Sequence, residues 1–217
     1  MRFFYLFIVC WTLAHTTVAQ PIKHKSDCYV LADSITRHPA IINLVESDKI
    51  AIKELSGKKH FLHAGSIAWF QSKGHRYYTL NNFEVKPGNA DSRVRYGFAE
   101  LVDSGQVTLL RYDYSKAKFM VIGGSGMLLP GVGPGMASLY LLRLAASPQQ
   151  VTVVPSDGLL GNGPRFRAAL QPYLANRPDL LTLLSDKKFN IQDLPDIVRA
   201  INTNQAYTKS FLPVGGY

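Results

Sequence analysis

The chain is poor in cysteine, and this scarcity limits how the fold can be stabilised. Among 217 residues the only cysteines are Cys10 and Cys28. We expect Cys10 to be removed with a leader, which leaves Cys28 without an intramolecular disulfide partner. The fold must then depend on its hydrophobic core. Cys28 is expected to be a half-buried strand residue beside Tyr29 and Val30, although a free thiol in an oxidising compartment can also pair between chains.

Charge is scarce at the start of the chain, where the sequence predicts a secretory signal peptide. Arg2 precedes an apolar run, Phe3–Trp11, which is shorter than the roughly 20 residues that span a bilayer. Small residues then lead to Ala19, so we expect residues 1–19 to be cleaved off before Gln20. Neither cysteine has the context of a lipid-modified one. The protein is therefore expected to be exported: periplasmic, outer-membrane associated or secreted.

Acidic residues are few, and the formal net charge is +9, from 24 Lys and Arg against 15 Asp and Glu. The basic residues are spread along the chain rather than gathered in one run, and an exported protein is separated from the nucleic acid of the cell. Nucleic acid is therefore not an expected partner. The excess charge either attracts an anionic envelope polymer weakly or only keeps the protein soluble.

Strand patterns dominate the first two thirds of the chain. Between residues 28 and 118, short segments rich in Val, Ile, Tyr and Phe alternate with turn residues, as in the hairpin that turns at Ser104 and Gly105. The predicted class is α+β: mainly antiparallel β, as a curled sheet or sandwich, with two to three C-terminal helices. The predicted divisions are a β-rich domain over 20–155, a helical segment packed on the sheet over 156–207, and a flexible tail over 208–217.

One stretch, 119–142, lacks charged residues, yet its glycines and prolines argue against a membrane-spanning helix. We expect a glycine-rich loop over 123–136, followed by a strand pair formed by 138–144 and 150–154.

The C-terminal segment has helical spacing of apolar residues. Pro172 should end or kink the first helix, Asn176 can cap the second, and Asp193 can cap the third. Leu194 and Ile197 begin the apolar face of the third helix.

Recognisable catalytic motifs are missing. Gly123–Gly126 lacks the last glycine of a nucleophile elbow, and the spacing of Ser185 and Lys188 fits a solvated turn better than a catalytic dyad. His60 and His63 would point to opposite faces of a strand, which does not suit a metal site. No histidine has an evident Asp or Glu beside it to orient its ring. We therefore predict a non-enzymatic protein without cofactor or metal.

Aromatic residues offer a candidate binding surface. A stacking surface for sugar or peptide is predicted at Trp69, Phe70, Arg76, Tyr77 and Tyr78. The alternative is that about half of these side chains fill the β core.

Several segments together resemble a known group of proteins. They are the leader, the Gly57–Lys58 turn, Ile67–Phe70 with Arg76–Tyr78, Gly105–Leu110, and a C-terminal block with Phe166, Leu180 and Ile191–Ile201. Over residues 28–204 the chain resembles uncharacterised exported proteins of Bacteroidetes-type bacteria. The resemblance implies an envelope location and no established activity, and it assigns no residue a role.

The predicted function is that of an exported envelope module that binds or has a structural role. Its partner is an anionic envelope polymer or another envelope protein, and no transmembrane span remains after signal removal. The alternative is a hydrolase whose site is assembled from residues distant in sequence.

Overall fold

The computed structural model describes residues 27–85, 92–115, 121–122, 128–129, 136–155 and 163–210. The predicted signal peptide, its cleavage site between Ala19 and Gln20, and the Gly123–Gly126 motif lie outside the described residues.

Most of the described chain is antiparallel β structure. Its strands are β1 (Cys28–Leu31), β2 (His38–Glu46), β3 (Lys49–Glu54), β4 (Lys59–His63), β5 (Ile67–Ser72), β6 (His75–Glu84), β7 (Arg93–Asp103), β8 (Val107–Ser115), β9 (Val121–Ile122), β10 (Leu128–Leu129), β11 (Met136–Leu144) and β12 (Thr152–Val154). Ten of them form one sheet in the order β12-β11-β8-β7-β6-β5-β1-β2-β3-β4, and β9 pairs with β10. This architecture confirms the predicted α+β class.

In the part of the chain that the structure describes, three short α-helices follow the sheet: α1 (Pro164–Leu170), α2 (Pro178–Ser185) and α3 (Leu194–Thr203). As predicted, α1 ends just before Pro172, in a 3₁₀ turn over Gln171–Leu174, because a proline lacks the N–H that would continue the helix.

The predicted cap of α2 is wrong, and that of α3 is confirmed in position only, since Asp193 is the N-cap residue but its side chain makes no capping bond to α3. The residue before α2 is Arg177, not Asn176. The side chain of Asp193 does not cap α3; instead it accepts a hydrogen bond from the backbone N–H of Asn190, whose side chain accepts from the N–H of Asp193. The 3₁₀ turn Ile191–Asp193 precedes α3. The reciprocal pair of hydrogen bonds therefore forms a capping box at the start of this turn, one turn before α3 begins.

The two faces of the sheet carry different sets of side chains. Leu109 and Leu142 pack against Phe166 and Ile197 of the helices, and we call their side of the sheet the helix face. Strand register places Phe70, Tyr77, Glu100 and Arg111 on this same face. Further along the sheet, β2 and β3 close over Phe70 with Ile42, Ile50 and Ile52 in a second buried cluster. A third cluster, which includes Leu110 and Leu141, lies on the opposite face.

Two predicted boundaries change. Strand β11 begins at Met136, inside the range predicted for the glycine-rich loop, and Leu128–Leu129 of that range is β10. Lys209 and Ser210, from the predicted flexible tail, are bonded to Asp193 and Asp196. Residues 211–217 lie outside the described part. Within the described residues, no helix is long and apolar enough to cross a membrane.

Candidate functional site

The predicted aromatic surface is divided between the two faces of the sheet. Trp69 of β5 is opposite Tyr78 of β6, whereas Phe70 is opposite Tyr77. Because successive residues of a strand point to opposite faces, Trp69, Arg76 and Tyr78 share the opposite face while Phe70 and Tyr77 share the helix face. Part of the predicted surface therefore belongs to the core, as the alternative interpretation stated.

On the opposite face, arginines surround the two remaining aromatic rings. The guanidinium carbons of Arg37 and Arg76 lie 5.4 Å and 4.8 Å from the centre of the Trp69 ring. The guanidinium carbon of Arg143, from β11, lies 5.7 Å from the centre of the Tyr78 ring. We call these five residues the cation–aromatic strip.

The charges of the strip are not neutralised within the described part of the chain. No carboxylate there forms an ion pair with Arg37, Arg76 or Arg143, whereas Arg93, Arg111, Arg177 and Arg199 each have at least one. Guanidinium groups against ring faces are fixed in position but keep their N–H donors at the rim. The strip can therefore bind planar anionic groups such as carboxylates, sulfates or phosphates.

On the helix face, Phe70 and Tyr77 are packing residues. Their rings stack at 4.7 Å with an interplanar angle of 8°, and Phe98 meets Phe70 edge-on at 4.9 Å. Burial is the main cause that raises the pKa of Tyr77, followed by the charge of Glu100. The Phe70 side chain is inaccessible to a partner, since it is 0% exposed.

Beside Tyr77, a charged network crosses three strands of the helix face. Glu100 of β7 is buried; its Oε1 lies 2.6 Å from Nδ1 of His75, and its Oε2 accepts a hydrogen bond of 2.6 Å from Arg111. Arg111 also pairs with Asp113, which accepts a bond of 2.6 Å from the Ser138 hydroxyl. The Glu100 carboxylate is thus held in place by contacts with His75 on one side and Arg111 on the other.

This network corrects the expectation that no histidine has an acidic partner. Glu100 holds Nδ1 of His75, and no other described residue bonds to the ring, whose side chain is 59% exposed. That arrangement orients an imidazole for proton transfer through Nε2. The nearby hydroxyl of Ser72, directly across the hairpin, is committed to the carbonyl of Ile42 at 2.6 Å.

Sequence reasoning missed these partners because they are far apart in the chain. His75 and Glu100 are separated by 25 positions, and Arg37 is over 30 positions from Trp69. One signal was present: Arg111 and Asp113 alternate with the buried Leu110 and Tyr112 on β8. Charged residues that alternate so regularly within a strand indicate a second, polar face.

The other candidate motifs are not assembled into sites. The Ser185 hydroxyl donates to the carbonyl of Leu181, and Lys188 pairs with Asp186 at 3.1 Å. His60 and His63 do point to opposite sides of β4, with His60 half-buried and His63 exposed. Within the described residues, no group of three or more His, Cys, Asp and Glu side chains has the arrangement of a metal site.

The comparisons with known proteins add no family to this picture. No protein-family model matches the chain, and no curated protein or solved structure shows significant similarity to it.

Proposed function

We propose that this protein is an exported, non-enzymatic envelope module that binds an anionic envelope polymer through the cation–aromatic strip. Export rests on the leader at residues 1–19. The observation that supports binding is the cluster of Arg37, Arg76 and Arg143 on the rings of Trp69 and Tyr78, without carboxylate partners in the described residues.

The proposed partner follows from the chemistry of the strip. Arginine donates two parallel hydrogen bonds to carboxylate, sulfate or phosphate, and a repeating polymer presents such groups to several arginines at once. The Trp69 and Tyr78 rings hold the guanidinium groups in position for such contacts. Together these groups favour an anionic polymer, of which an acidic polysaccharide is one kind.

Binding of immobilised polygalacturonate, with neutral dextran as the reference polymer, tests the proposal. Changing all three arginines of the strip to Gln should weaken binding at least about tenfold at physiological salt. A matched control changes Lys53, Lys58 and Lys59 to Gln, which removes the same charge from the β3–β4 hairpin. An equal loss in the control would show that only net charge matters, and equal binding to dextran would reject the anionic partner.

A second candidate function is a hydrolase, which the His75–Glu100 pair favours. An imidazole oriented by a carboxylate is the usual general base of hydrolytic sites, although it needs a nucleophile or an activated water beside Nε2. The test is turnover of ester, peptide, glycoside and phosphate substrates. His75→Ala should abolish any true activity, while His60→Ala, which removes the His60–Glu54 pair at 3.6 Å, should not.

A further inference from the structure

A groove lies away from the cation–aromatic strip and shares no residue with it. It has a volume of about 490 Å³ and lies between the β2–β3 turn, the end of β4 and the start of β7. The residues that matter for its chemistry are Asp48, His63, Gly65, Arg95, Tyr96 and Tyr112. The volume is in the range of pockets that hold small molecules.

Two tyrosines form the walls of this groove. The ring of Tyr96 lies on Gly65, where an added Cβ would come within 3.4 Å of the ring, and Tyr96 is still 40% exposed. Tyr112 is buried at the other side. Burial and then the charge of Asp48 raise the pKa of Tyr112, while a hydrogen bond with Ser47 lowers it. Asp48 lines the same groove as Tyr112.

Three polar side chains at the groove have no ion pair or side-chain hydrogen bond to the described residues: Asp48, His63 and Arg95. The guanidinium of Arg95 lies over the Tyr96 ring at 5.8 Å. The groove thus offers an acceptor-only group, a donor-only group and an imidazole beside an exposed ring face.

We propose that this groove binds an uncharged sugar residue of a glycan. Sugar hydroxyls both donate and accept, so they match the Asp48 carboxylate and the Arg95 guanidinium together, and the C–H face of a pyranose fits the Tyr96 ring. Asp48 and Arg95 carry opposite charges, so the groove lacks the unopposed positive charge of the strip. A peptide is less well matched, because Ala64 and Val94 are the only aliphatic side chains in the lining.

The experiment is a titration of the ¹⁵N-labelled chain with cellotriose and chitotriose, each to about 10 mM, followed by amide chemical shifts. We expect shifts concentrated at residues 47–48, 63–65 and 94–96. Asp48→Asn and Tyr96→Ala should each weaken the affinity about tenfold. Tyr96→Phe keeps the ring and should stay within about threefold.

The controls separate this proposal from the proposed function. Asp33→Asn removes an exposed carboxylate outside the groove and should leave the titration unchanged, as should the strip variant with all three arginines changed to Gln. The proposal is overturned by an absence of shifts with both sugars, by shifts that persist in Asp48→Asn and Tyr96→Ala, or by groove shifts with trialanine alone.

Discussion

At the residue scale, Glu100 is the carboxylate on which the polar part of the helix face depends. Its side chain is only 11% exposed and lies between His75 and Arg111, both at 2.6 Å. Removing the charge of a buried group destabilises the fold by more than its hydrogen bonds contribute on balance. The reason is that its partners stay shielded from water but lose the group that compensated for this.

Glu100→Gln should therefore lower the free energy of unfolding by about 1–3 kcal/mol, measured by urea denaturation. Arg111 is 40% exposed, so water can partly replace the lost bond and keep the effect below that of a fully buried pair. The matched control is Glu46→Gln at an exposed strand position. It should change stability by less than about 0.5 kcal/mol. Equal effects in the two variants would contradict the assigned role.

Tyr207 allows a pH-dependent test of the docked segment after α3. Burial, followed by the charges of Asp193 and Asp196 and a hydrogen bond with Asp193, raises the pKa of Tyr207 to about 12. The neutral phenol is thus favoured in the folded state. Its contribution to stability is fully present below the ordinary tyrosine pKa near 10 and is lost as pH rises through about 12.

The titration should be followed by absorbance at a tyrosinate wavelength, as a difference between the wild type and Tyr207→Phe. The absorbance transition that the wild type has and Tyr207→Phe lacks is expected near pH 12. A difference curve centred near pH 10 would show that burial and the two aspartates do not raise the pKa of Tyr207. Tyr96→Phe, at an exposed tyrosine, serves as the reference.

At the element scale, one side chain joins the C-terminal helix to the sheet. The amide of Asn202, on α3, accepts from the N–H of Val107 and donates to the carbonyl of Val107 and to Asp103. It thereby pairs with β8 as a neighbouring strand would. Gly105 leaves room for this contact, since an added Cβ would lie 2.6 Å from the Asn202 amide carbon.

Asn202→Ala should consequently destabilise the protein by about 2 kcal/mol, because two backbone groups and Asp103 lose their partner at once. Hydrogen exchange at the Val107 amide should rise with it. Asn176→Ala is the control, as Asn176 is exposed and does not cap α2, and it should be close to neutral. A large effect at Asn176 would restore the predicted cap.

Strands were predicted better than caps for a physical reason. Ile50 and Ile52 face the core as their alternation indicated, because period-two burial is local to one strand. Caps depend on where the chain enters a helix, and the 3₁₀ turn before α3 shifts that entry by a few residues. Only part of the candidate site was predicted from the sequence. Trp69, Arg76 and Tyr78 do share a surface, whereas Arg37 and Arg143 are brought to it by the arrangement of the strands.

At the scale of the whole molecule, the proposed export is open to direct measurement. When the full chain is expressed in a bacterium and fractionated, the mature protein should begin at Gln20, as intact mass and N-terminal sequencing would show. Ala19→Arg should block processing, since signal peptidase requires a small residue there. Gln20→Asn is the control and should still be processed. A mature chain that begins at Met1 would contradict the proposal.

The sequence by itself determined the class of fold, since strand and helix periodicities are carried by neighbouring residues and survive without knowledge of the partner elements. It also determined which stretch forms the helices and which strand faces are apolar. Only the tertiary structure decided which charges meet. The sheet order brings Arg143 of β11 to Tyr78 of β6, and Glu100 to His75 and Arg111. Contacts between distant strands depend on register and curvature, and no local pattern encodes those.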